Sequence, residues 1–312
     1  MGSLLPRPTM HPLIRVLPRI ARALDDGEPV VALESSVFAQ GLPRPENAQA
    51  ARSMVDAVER AGAVPGITAV VRGTPTVGLE PEELERFLRR EGIRKVSARD
   101  LATAVATKAD GATTVAASLA LASAVGIQVF ATGGIGGVHR DAPYDESADL
   151  AELARTPMVV VCAGAKSILD LEATWERLET LGVTVVGYRT SDLPGFFTAD
   201  TGIRLDTRVD HVRDIAAIWR AHRALDRRQS VVVVQEPPEG HRLSRETVEA
   251  AVAEARAAAQ RDAVRGAAVT PFLLSEVTRL TNGGSLVANV ALLRENAALA
   301  GAVAKEIAIE LH

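Results

Sequence analysis

The chain has 312 residues, of which 47% are hydrophobic and 24% are charged, a composition typical of a folded globular protein. Its formal net charge is -4 and only 3% of its residues are aromatic. The negative net charge argues against the basic surface that binds a nucleic-acid polymer, and the low aromatic content argues against side chains that stack on its bases. We expect any nucleotide that this protein handles to be a small molecule.

The N-terminal residues predict no targeting segment. The stretch MGSLLPRPTMHPLIRVLPRIARAL has scattered arginines but lacks the continuous apolar core of a signal peptide. No later segment is expected to approach the roughly 18 apolar residues of a membrane span. The single cysteine, Cys162, lies in an apolar run and is expected to be a buried, unreactive side chain. These features predict a cytoplasmic protein without membrane contact.

Short β-branched runs alternate with alanine-rich segments from Pro29 to the mid-230s, a pattern that indicates helices on both faces of a mostly parallel sheet. We predict an α/β protein with a three-layer α/β/α arrangement and a helical C-terminal part. An N-terminal extension and first helix (1–28) precede a single domain (29–312). The sequence predicts seven strands, over residues 29–33, 67–71, 95–97, 127–131, 158–162, 183–187 and 230–234.

Capping residues predict where several helices begin. A helix is expected within 45–62, and Glu80-Pro81 opens another with acidic residues in its first turn. In the C-terminal part, Ser244 can cap one helix and Thr270-Pro271 can start the next. Residues 288–311 are predicted to form a long terminal helix.

Polar residues that directly follow predicted strands are candidates for a binding site, because ligands of open parallel sheets bind at the carboxyl ends of the strands. Glu34 ends the first predicted strand and is followed by Ser35 and Ser36. A carboxylate that is merely hydrogen-bonded at a strand end is the alternative interpretation. Lys95 and Arg99 offer cationic groups that suit a phosphate, although charged residues at the rim of a sheet are commonly only solvated.

The segment FATGGIGGVHRDAPYDESAD is the most unusual in the chain. Thr132 and four glycines would let backbone N–H groups approach an anion. A dinucleotide-binding motif fits poorly, because His139 stands where its third glycine belongs. The acidic residues that follow suit a hard divalent cation such as Mg²⁺ or Mn²⁺, and a surface loop that caps the next helix at Asp149 is the alternative. Charged residues of this segment are Arg140, Asp141, Asp145, Glu146 and Asp149.

The segment VVVCAGAKSILDL predicts a strand, a turn of small residues and a helix that begins near Lys166. A lysine is unfavourable there, because the N-terminal end of a helix already carries partial positive charge. That position and partial burial would favour the neutral amine, which can attack a carbon centre. A salt bridge from Lys166 to Asp145, Asp149 or Glu34 is the alternative.

Eight segments taken together resemble the pseudouridine-5'-phosphate glycosidase family. The similarity runs from about Pro29 to the C-terminus, and its most specific parts are the glycine loop with its VHR ending and AGAKSILDL. The segments are VALESSVFAQGLPRPENAQAA, GAVPGITAVVRGTPTVGL, KVSARDL, GATTVAAS, VFATGGIGGVHR, DESADLAELART, VVVCAGAKSILDL and AVTPFLL.

The resemblance implies an enzyme that reversibly cleaves the carbon–carbon glycosidic bond of pseudouridine 5'-phosphate to give uracil and ribose 5-phosphate. It implies Glu34 as proton donor, Lys166 as covalent nucleophile and Asp145 as a ligand of one Mn²⁺ ion per subunit, with Mg²⁺ or another divalent ion as alternatives. It also implies a homotrimer. Implied substrate-binding residues are Lys95 for the phosphate, together with Val115, Thr132, His139, Ser147, Ala148, Asp149 and Asn289.

The chemistry of a C-glycoside accounts for these residue types. The base leaves through carbon, so the two carboxylates of an ordinary glycosidase would have no glycosidic oxygen to protonate. A lysine that attacks C1′ and opens the ribose ring supplies an electron sink through an iminium-type adduct, while Glu34 delivers or removes protons. The metal would orient the uracil or polarise one of its carbonyls.

The chain departs from the family pattern in places that leave its substrate preference open. Gln40-Gly41-Leu42-Pro43 stands where the family typically has His-Gly-Met-Pro, Val234-Gln235-Glu236 replaces Ala-Asn-Pro, and the loop after Arg140 is shorter. Relatives associated with pigment biosynthesis share most of the motifs. Two other functions remain open: another Schiff-base lyase acting on a sugar phosphate, such as an aldolase-like enzyme, and a non-catalytic sugar-phosphate or nucleotide sensor.

Overall fold

The computed structural model describes residues 11–140 and 144–309. Within these ranges the chain forms one sheet of eleven strands: β1 (Arg15–Val16), β2 (Val30–Glu34), β3 (Val64–Val71), β4 (Thr74–Val77), β5 (Arg94–Val96), β6 (Gly111–Thr113), β7 (Val129–Ala131), β8 (Val159–Cys162), β9 (Thr184–Tyr188), β10 (Arg208–Val209) and β11 (Val231–Val234).

The α-helices of the described residues are α1 (Pro18–Asp25), α2 (Glu46–Arg60), α3 (Pro81–Arg89), α4 (Leu101–Ala106), α5 (Val115–Ala124), α6 (Ala148–Leu153), α7 (Leu171–Thr180), α8 (Val212–Ala224), α9 (Arg245–Arg261), α10 (Val269–Leu280) and α11 (Gly284–Ile309). Short 3₁₀-helices lie at Ala98–Asp100, Glu239–His241 and Gly266–Ala268, and Val37–Gly41 forms a π-helical turn.

The strands follow the order β1-β4-β3-β2-β7-β8-β11-β9-β10. Every pair from β3 to β10 in this order is parallel, whereas β4 and β6 run antiparallel to β3, and β5 pairs with β6. The central strands β8 and β11, VVVC and VVVV, are buried throughout. Such continuous β-branched runs are typical of parallel strands that helices cover on both faces. The predicted α/β/α fold is confirmed.

Helix α11 organises one layer, where it packs against α2, α8 and the strands β2, β7 and β8. Helices α5 and α6 form a separate pair, in which α5 packs on β2 and β3. By length and composition alone α11 is long and apolar enough to cross a membrane. In this fold, however, 61% of its most apolar window is buried, as in a core helix.

All seven predicted strands are present, with bounds that differ by at most three residues. The sequence reading missed four short strands, β1, β4, β6 and β10. Strand β4 follows β3 through a two-residue turn, Arg72-Gly73, in which both φ angles are positive (48° and 81°). This is the conformation of a tight β-hairpin, and Arg72 gives little sequence signal for it.

The described N-terminal residues join the same sheet and core. Strand β1 pairs with β4, and Leu17, Ile20 and Ala23 of the α1 region are buried in the main hydrophobic core. The division into an extension (1–28) and a single domain (29–312) stays a prediction.

The helix predictions hold with small shifts. Ser244 caps α9 by accepting a hydrogen bond from the Thr247 N–H at 3.2 Å. Helix α10 begins at Val269, and α11 begins at Gly284, four residues before its predicted start. The predicted end of that helix, at 310–311, lies outside the described residues.

Candidate active site

The carboxyl ends of three neighbouring strands form the floor of the candidate site. Strand β7 pairs in parallel with both β2 and β8, with Ala131 opposite Leu33 on one side and Val161 on the other. The next residues along the chain are Glu34 and Thr132, and the Thr132 N–H donates to the Val161 carbonyl at 3.1 Å. The strand register therefore places Glu34 beside Thr132, as expected for polar residues at the ends of parallel strands.

Glu34 is buried, with 5% of its surface exposed. The Thr132 hydroxyl donates to its Oε1, and the Ser36 hydroxyl donates to its Oε2 at 2.5 Å. Both carboxylate oxygens are thus engaged by hydroxyl donors. The position and plane of this carboxylate are fixed by the protein itself.

Lys166 does not lie at the start of a helix, so this prediction and the helix-dipole argument built on it are wrong. Strand β8 ends at Cys162, and α7 begins only at Leu171. The cap of α7 is Asp170, whose Oδ1 accepts a hydrogen bond from the Ala173 N–H at 3.0 Å. An Asp cap is strongly preferred over the small residues before Lys166, and it fixes the later start.

The chain reaches Lys166 through a turn that requires glycine. Gly164 has a φ of +86°, and a Cβ at that position would lie 2.1 Å from the Pro194 carbonyl oxygen. Beyond the turn, the Lys166 N–H donates to the Ile135 carbonyl at 3.1 Å, and the Lys166 Nζ donates to the Gly134 carbonyl at 2.8 Å. Lys166 is therefore held by the glycine loop.

Within the described residues, Lys166 makes no ion pair with Glu34, Asp145 or Asp149. The structure therefore does not support a salt bridge of Lys166, which was the alternative interpretation of this residue.

Asp149 connects the glycine loop to helix α5. Its side chain is buried, with 5% of its surface exposed, and accepts hydrogen bonds from the Gly136 N–H at 2.8 Å and the Ala116 N–H at 3.0 Å. A Cβ at Gly136 would lie 2.2 Å from the Ser147 Oγ, so this close approach requires glycine. The group that accepts the Gly136 N–H is therefore the carboxylate of Asp149. The cap of α6 is Ser147, which corrects the alternative that Asp149 has that role.

Lys95 lies on β5 at the rim of the same edge. The residue is exposed to solvent, but nearby protein atoms partly desolvate its ammonium group and thereby lower its pKa. The positive charge of Lys166 lowers this pKa further. The carboxylates of Asp149 and Glu34 act in the opposite direction. Lys95 is thus within electrostatic reach of Lys166, Asp149 and Glu34, and these four predicted site residues form the charged cluster of the site.

The remaining predicted residues lie around this charged cluster or at its margin. Val115 is the buried first residue of α5, next to the Ala116 N–H that binds Asp149. The His139 N–H donates to the Asp145 carbonyl at 2.9 Å, which places His139 beside Asp145. Ala148 is exposed at the start of α6.

Asn289 is a buried polar residue on α11. It is 8% exposed, and its Oδ1 has no hydrogen-bond partner in the described part of the chain. An unpaired buried acceptor is costly, so this amide has capacity for a ligand.

The donor set for a metal is small. Asp145 is exposed, and among residues 11–140 and 144–309 no group of three or more His, Cys, Asp or Glu side chains could hold an ion. Asp141 lies outside the described residues. A single carboxylate fits an ion such as Mg²⁺ or Mn²⁺ that keeps most of its waters and takes other ligands from a substrate.

Sequence reasoning missed Asn296, which supports the floor of the site from α11. The Asn296 Nδ2 donates to the Thr132 carbonyl at 2.8 Å, and the Gln235 Nε2 donates to the Asn296 Oδ1 at 2.9 Å. Asn296 lies seven residues after Asn289, on the same face of the helix. Two asparagines at that spacing in an apolar helix are a signal that could have been used.

A second missed feature is a buried network of hydroxyl groups behind Glu34. The Ser35 Oγ accepts from the Thr113 N–H at 2.9 Å, and the Thr68 Oγ1 donates to the Ser118 Oγ at 2.8 Å. Thr68 and Thr113 are joined at 2.9 Å. The network ties the ends of β2 and β6 and the middle of β3 to α5, so it fixes the backbone that carries Glu34.

Arg140, the last residue of the VHR motif, braces the segment after Lys166. Its guanidinium donates to the Leu169 carbonyl at 2.8 Å and the Ser167 carbonyl at 3.3 Å. It also forms a bidentate salt bridge with the carboxylate of Glu249, with N–O distances of 2.9 and 3.0 Å. This hydrogen bond holds the pKa of Glu249 below its usual range. Arg140 therefore serves to position the turn that carries Lys166.

Comparison with known proteins identifies relatives over nearly the whole chain. Residues 19–306 match the family model described as indigoidine synthase A like protein. A pseudouridine-5'-phosphate glycosidase from Gemmatimonas aurantiaca is 60% identical over 290 residues, which cover 93% of this chain and 95% of that protein.

Two solved structures share the fold. The prealnumycin C-glycosynthase in complex with ribulose 5-phosphate has a TM-score of 0.89 and 38% identity, over 96% of this chain and 99% of that one. An indigoidine synthase A-like protein from Thermotoga maritima has a TM-score of 0.87 and 35% identity, over 95% and 97% of the two chains. The chain therefore belongs to the pseudouridine-5'-phosphate glycosidase family of indigoidine synthase A-like enzymes, as its motifs predicted.

Proposed function

We propose that this enzyme reversibly cleaves the carbon–carbon glycosidic bond of pseudouridine 5'-phosphate to give uracil and ribose 5-phosphate. The observation that carries the proposal is the meeting of Glu34, Lys95 and Lys166 at one sheet edge, although they come from distant segments. A relative that is 60% identical bears the name of this activity. An amine, a carboxylic acid and a phosphate-binding cation are the groups that the reaction needs.

Lys166 is the proposed nucleophile. Its Nζ bonds to C1′ while the C1′–O4′ bond breaks, and Glu34 gives a proton to O4′. The nitrogen electron pair then forms a C=N bond as the bond from C1′ to the uracil carbon breaks, and that carbon takes up a proton. Water hydrolyses the iminium group and frees ribose 5-phosphate. The 2.8 Å hydrogen bond to Gly134 supports this role, because it fixes Nζ while leaving the lone pair of a neutral amine for attack.

Substrate binding is assigned to residues around the charged cluster. Lys95 would contact the phosphate, and the unpaired Oδ1 of Asn289 can accept a hydrogen bond from the ligand. The other proposed contacts are Val115, Thr132, His139, Ser147, Ala148 and Asp149. Because both oxygens of Asp149 already accept backbone N–H groups, its main contribution is to hold the loop against the substrate.

Asp145 would hold one Mn²⁺ ion per subunit, with Mg²⁺ or another divalent ion as the alternative. When bound, the ion would orient the uracil or polarise one of its carbonyls. The exposed carboxylate of Asp145 and its neighbour His139 support a site open to solvent and ligand. We further propose that the enzyme is cytoplasmic and that it is a homotrimer. Light scattering of the purified protein tests the trimer.

Carbon–carbon bond formation by the same site is the second candidate function. The C-glycosynthase relative was solved with ribulose 5-phosphate, a pentose phosphate. A site that binds such a ligand next to an amine could also join it to an acceptor or act as an aldolase-like lyase. Incubation with ribulose 5-phosphate or ribose 5-phosphate, with and without uracil, distinguishes these activities.

The deciding experiment is incubation of the purified protein with pseudouridine 5'-phosphate and Mn²⁺, followed by separation of uracil and ribose 5-phosphate. The Lys166→Ala variant should lose at least about 10³-fold in turnover and still bind ribose 5-phosphate. Lys305→Ala removes an exposed lysine of α11 and serves as the control. Appreciable turnover by Lys166→Ala would refute the covalent mechanism. Binding without product by the wild type would favour the sensor.

A further inference from the structure

Ser36 lies beside the carboxylate of Glu34, and the proposed reaction does not yet assign it a role. Its Oγ donates to Glu34 Oε2 at 2.5 Å. Ser36 stands at the cap position of the turn Val37–Gly41, yet its side chain makes no capping hydrogen bond. A serine at such a position ordinarily satisfies a free backbone N–H. Here the Ser36 hydroxyl donates to the carboxylate of Glu34 instead.

The two oxygens of Glu34 have different surroundings. Oε1 faces Thr132, which is fully buried and whose carbonyl is held by Asn296. Oε2 faces Ser36, which is partly exposed. Because Thr132 is fully buried, its hydroxyl has little room to turn. The hydroxyl of the partly exposed Ser36 has more room to turn.

A carboxyl group that serves as an acid must carry its proton on one oxygen. An oxygen that accepts a hydroxyl proton takes up a proton of its own more readily when that hydroxyl turns away, because the hydrogen bond stabilises the charged form of the carboxyl group. The Ser36 hydroxyl can turn, whereas the Thr132 hydroxyl is confined. The proton is therefore expected on Oε2.

We propose that Ser36 is a positioning residue that sets the acid and base states of Glu34, and that Oε2 is the oxygen that transfers the proton. In the acid state the Ser36 hydroxyl is turned aside and the Oε2–H points at the substrate. The O–H bond breaks as the proton joins the substrate oxygen, and the Ser36 hydroxyl then turns to donate to the anionic Oε2. Ser36 keeps its own proton throughout. The inference rests on the proposed function for its substrate.

The kinetic test compares three variants. Ser36→Ala should lower kcat by about 10- to 100-fold, because the anion formed by proton transfer loses a charge-assisted hydrogen bond. KM should stay near the wild-type value, and the thermal midpoint should fall only slightly, because Ser36 is partly exposed and water can replace its hydroxyl at Glu34 Oε2. Ser36→Thr keeps a hydroxyl and should restore most of kcat. Ser53→Ala removes another partly buried serine hydroxyl, bound to the Ala50 carbonyl at 3.0 Å, and should behave as wild type.

An infrared measurement separates this inference from the proposed function. The carboxylate stretch of Glu34, identified by its loss in Glu34→Gln, should shift in unliganded Ser36→Ala and stay in place in Ser53→Ala. If the wild type releases no uracil, the proposed function fails, and the band shift alone decides the Ser36 contact. Wild-type kcat in Ser36→Ala, an unmoved band, or a Ser36→Thr variant as slow as Ser36→Ala would each overturn the inference.

Discussion

The charged cluster and the acidic segment 144–148 are neighbours in the site but are built differently. In the charged cluster, Glu34 and Asp149 are buried and each uses both carboxylate oxygens in hydrogen bonds. In the acidic segment, Asp145 and Glu146 are exposed, and Glu146 pairs with Arg177 at 2.9 Å. The charged cluster is preorganised by the protein, which is the condition for strong electrostatic catalysis. In the acidic segment, the exposed carboxylate of Asp145 is not fixed in this way.

The largest expected effect that tests this contrast is that of Asp149→Asn. The amide keeps one acceptor oxygen but turns an NH₂ group towards the Gly136 or Ala116 N–H. A buried N–H without a partner should lower the free energy of unfolding by about 1–3 kcal/mol. Because the loop that holds Lys166 would shift, we expect kcat/KM to fall roughly 10²-fold. Urea unfolding and steady-state kinetics measure the two effects.

Asp170→Asn is the matched control for that substitution. Asp170 also accepts a backbone N–H, but as the cap of α7, where asparagine is an equally good residue. We expect near wild-type stability and activity. An Asp149→Asn protein as stable and active as Asp170→Asn would show that the charged cluster does not depend on its own hydrogen bonds.

Asp145→Ala should have a smaller effect, and of a different kind. Because Asp145 is exposed, the free energy of unfolding should change by no more than about 0.5 kcal/mol. The Mn²⁺ concentration that gives half-maximal activity should rise at least about 10-fold, and excess Mn²⁺ should restore part of the activity. Titration of activity with Mn²⁺ after EDTA treatment measures this. Full activity of EDTA-treated wild type would contradict the metal assignment.

The same contrast explains which parts of the site the sequence could predict. Glu34 and Thr132 follow continuous apolar strands, so the pattern and the parallel sheet were enough to place both at the carboxyl edge of the sheet, whereas their adjacency comes from the pairing of β2 with β7. Lys166 was identified for its chemistry but placed in the wrong local structure. The carbonyl of Pro194, thirty residues away along the chain, leaves no room for a Cβ at Gly164, and no local sequence pattern shows that contact.

Long-range contacts account for the rest. Lys95 reaches the charged cluster because β5 pairs with β6 and β6 with β3, and β6 is one of the short strands that the sequence reading missed. The bond from Ala116 to Asp149 joins residues 33 positions apart. No local pattern encodes either contact, so propensity and capping signals could not reveal them.

The smallest expected effect concerns Cys162, which ends β8 beside the charged cluster. The sequence predicted a buried, unreactive thiol, and burial is confirmed: the side chain has no exposed surface, and desolvation raises its pKa to about 12. The reactive thiolate forms only as the pH approaches that value, so at about pH 8 the native protein should resist thiol reagents and keep its activity. Unfolding in urea should expose one reactive thiol per chain. Rapid labelling of the native protein with loss of activity would mean that the floor of the site opens in solution, and the preorganisation inferred for the charged cluster would then be wrong.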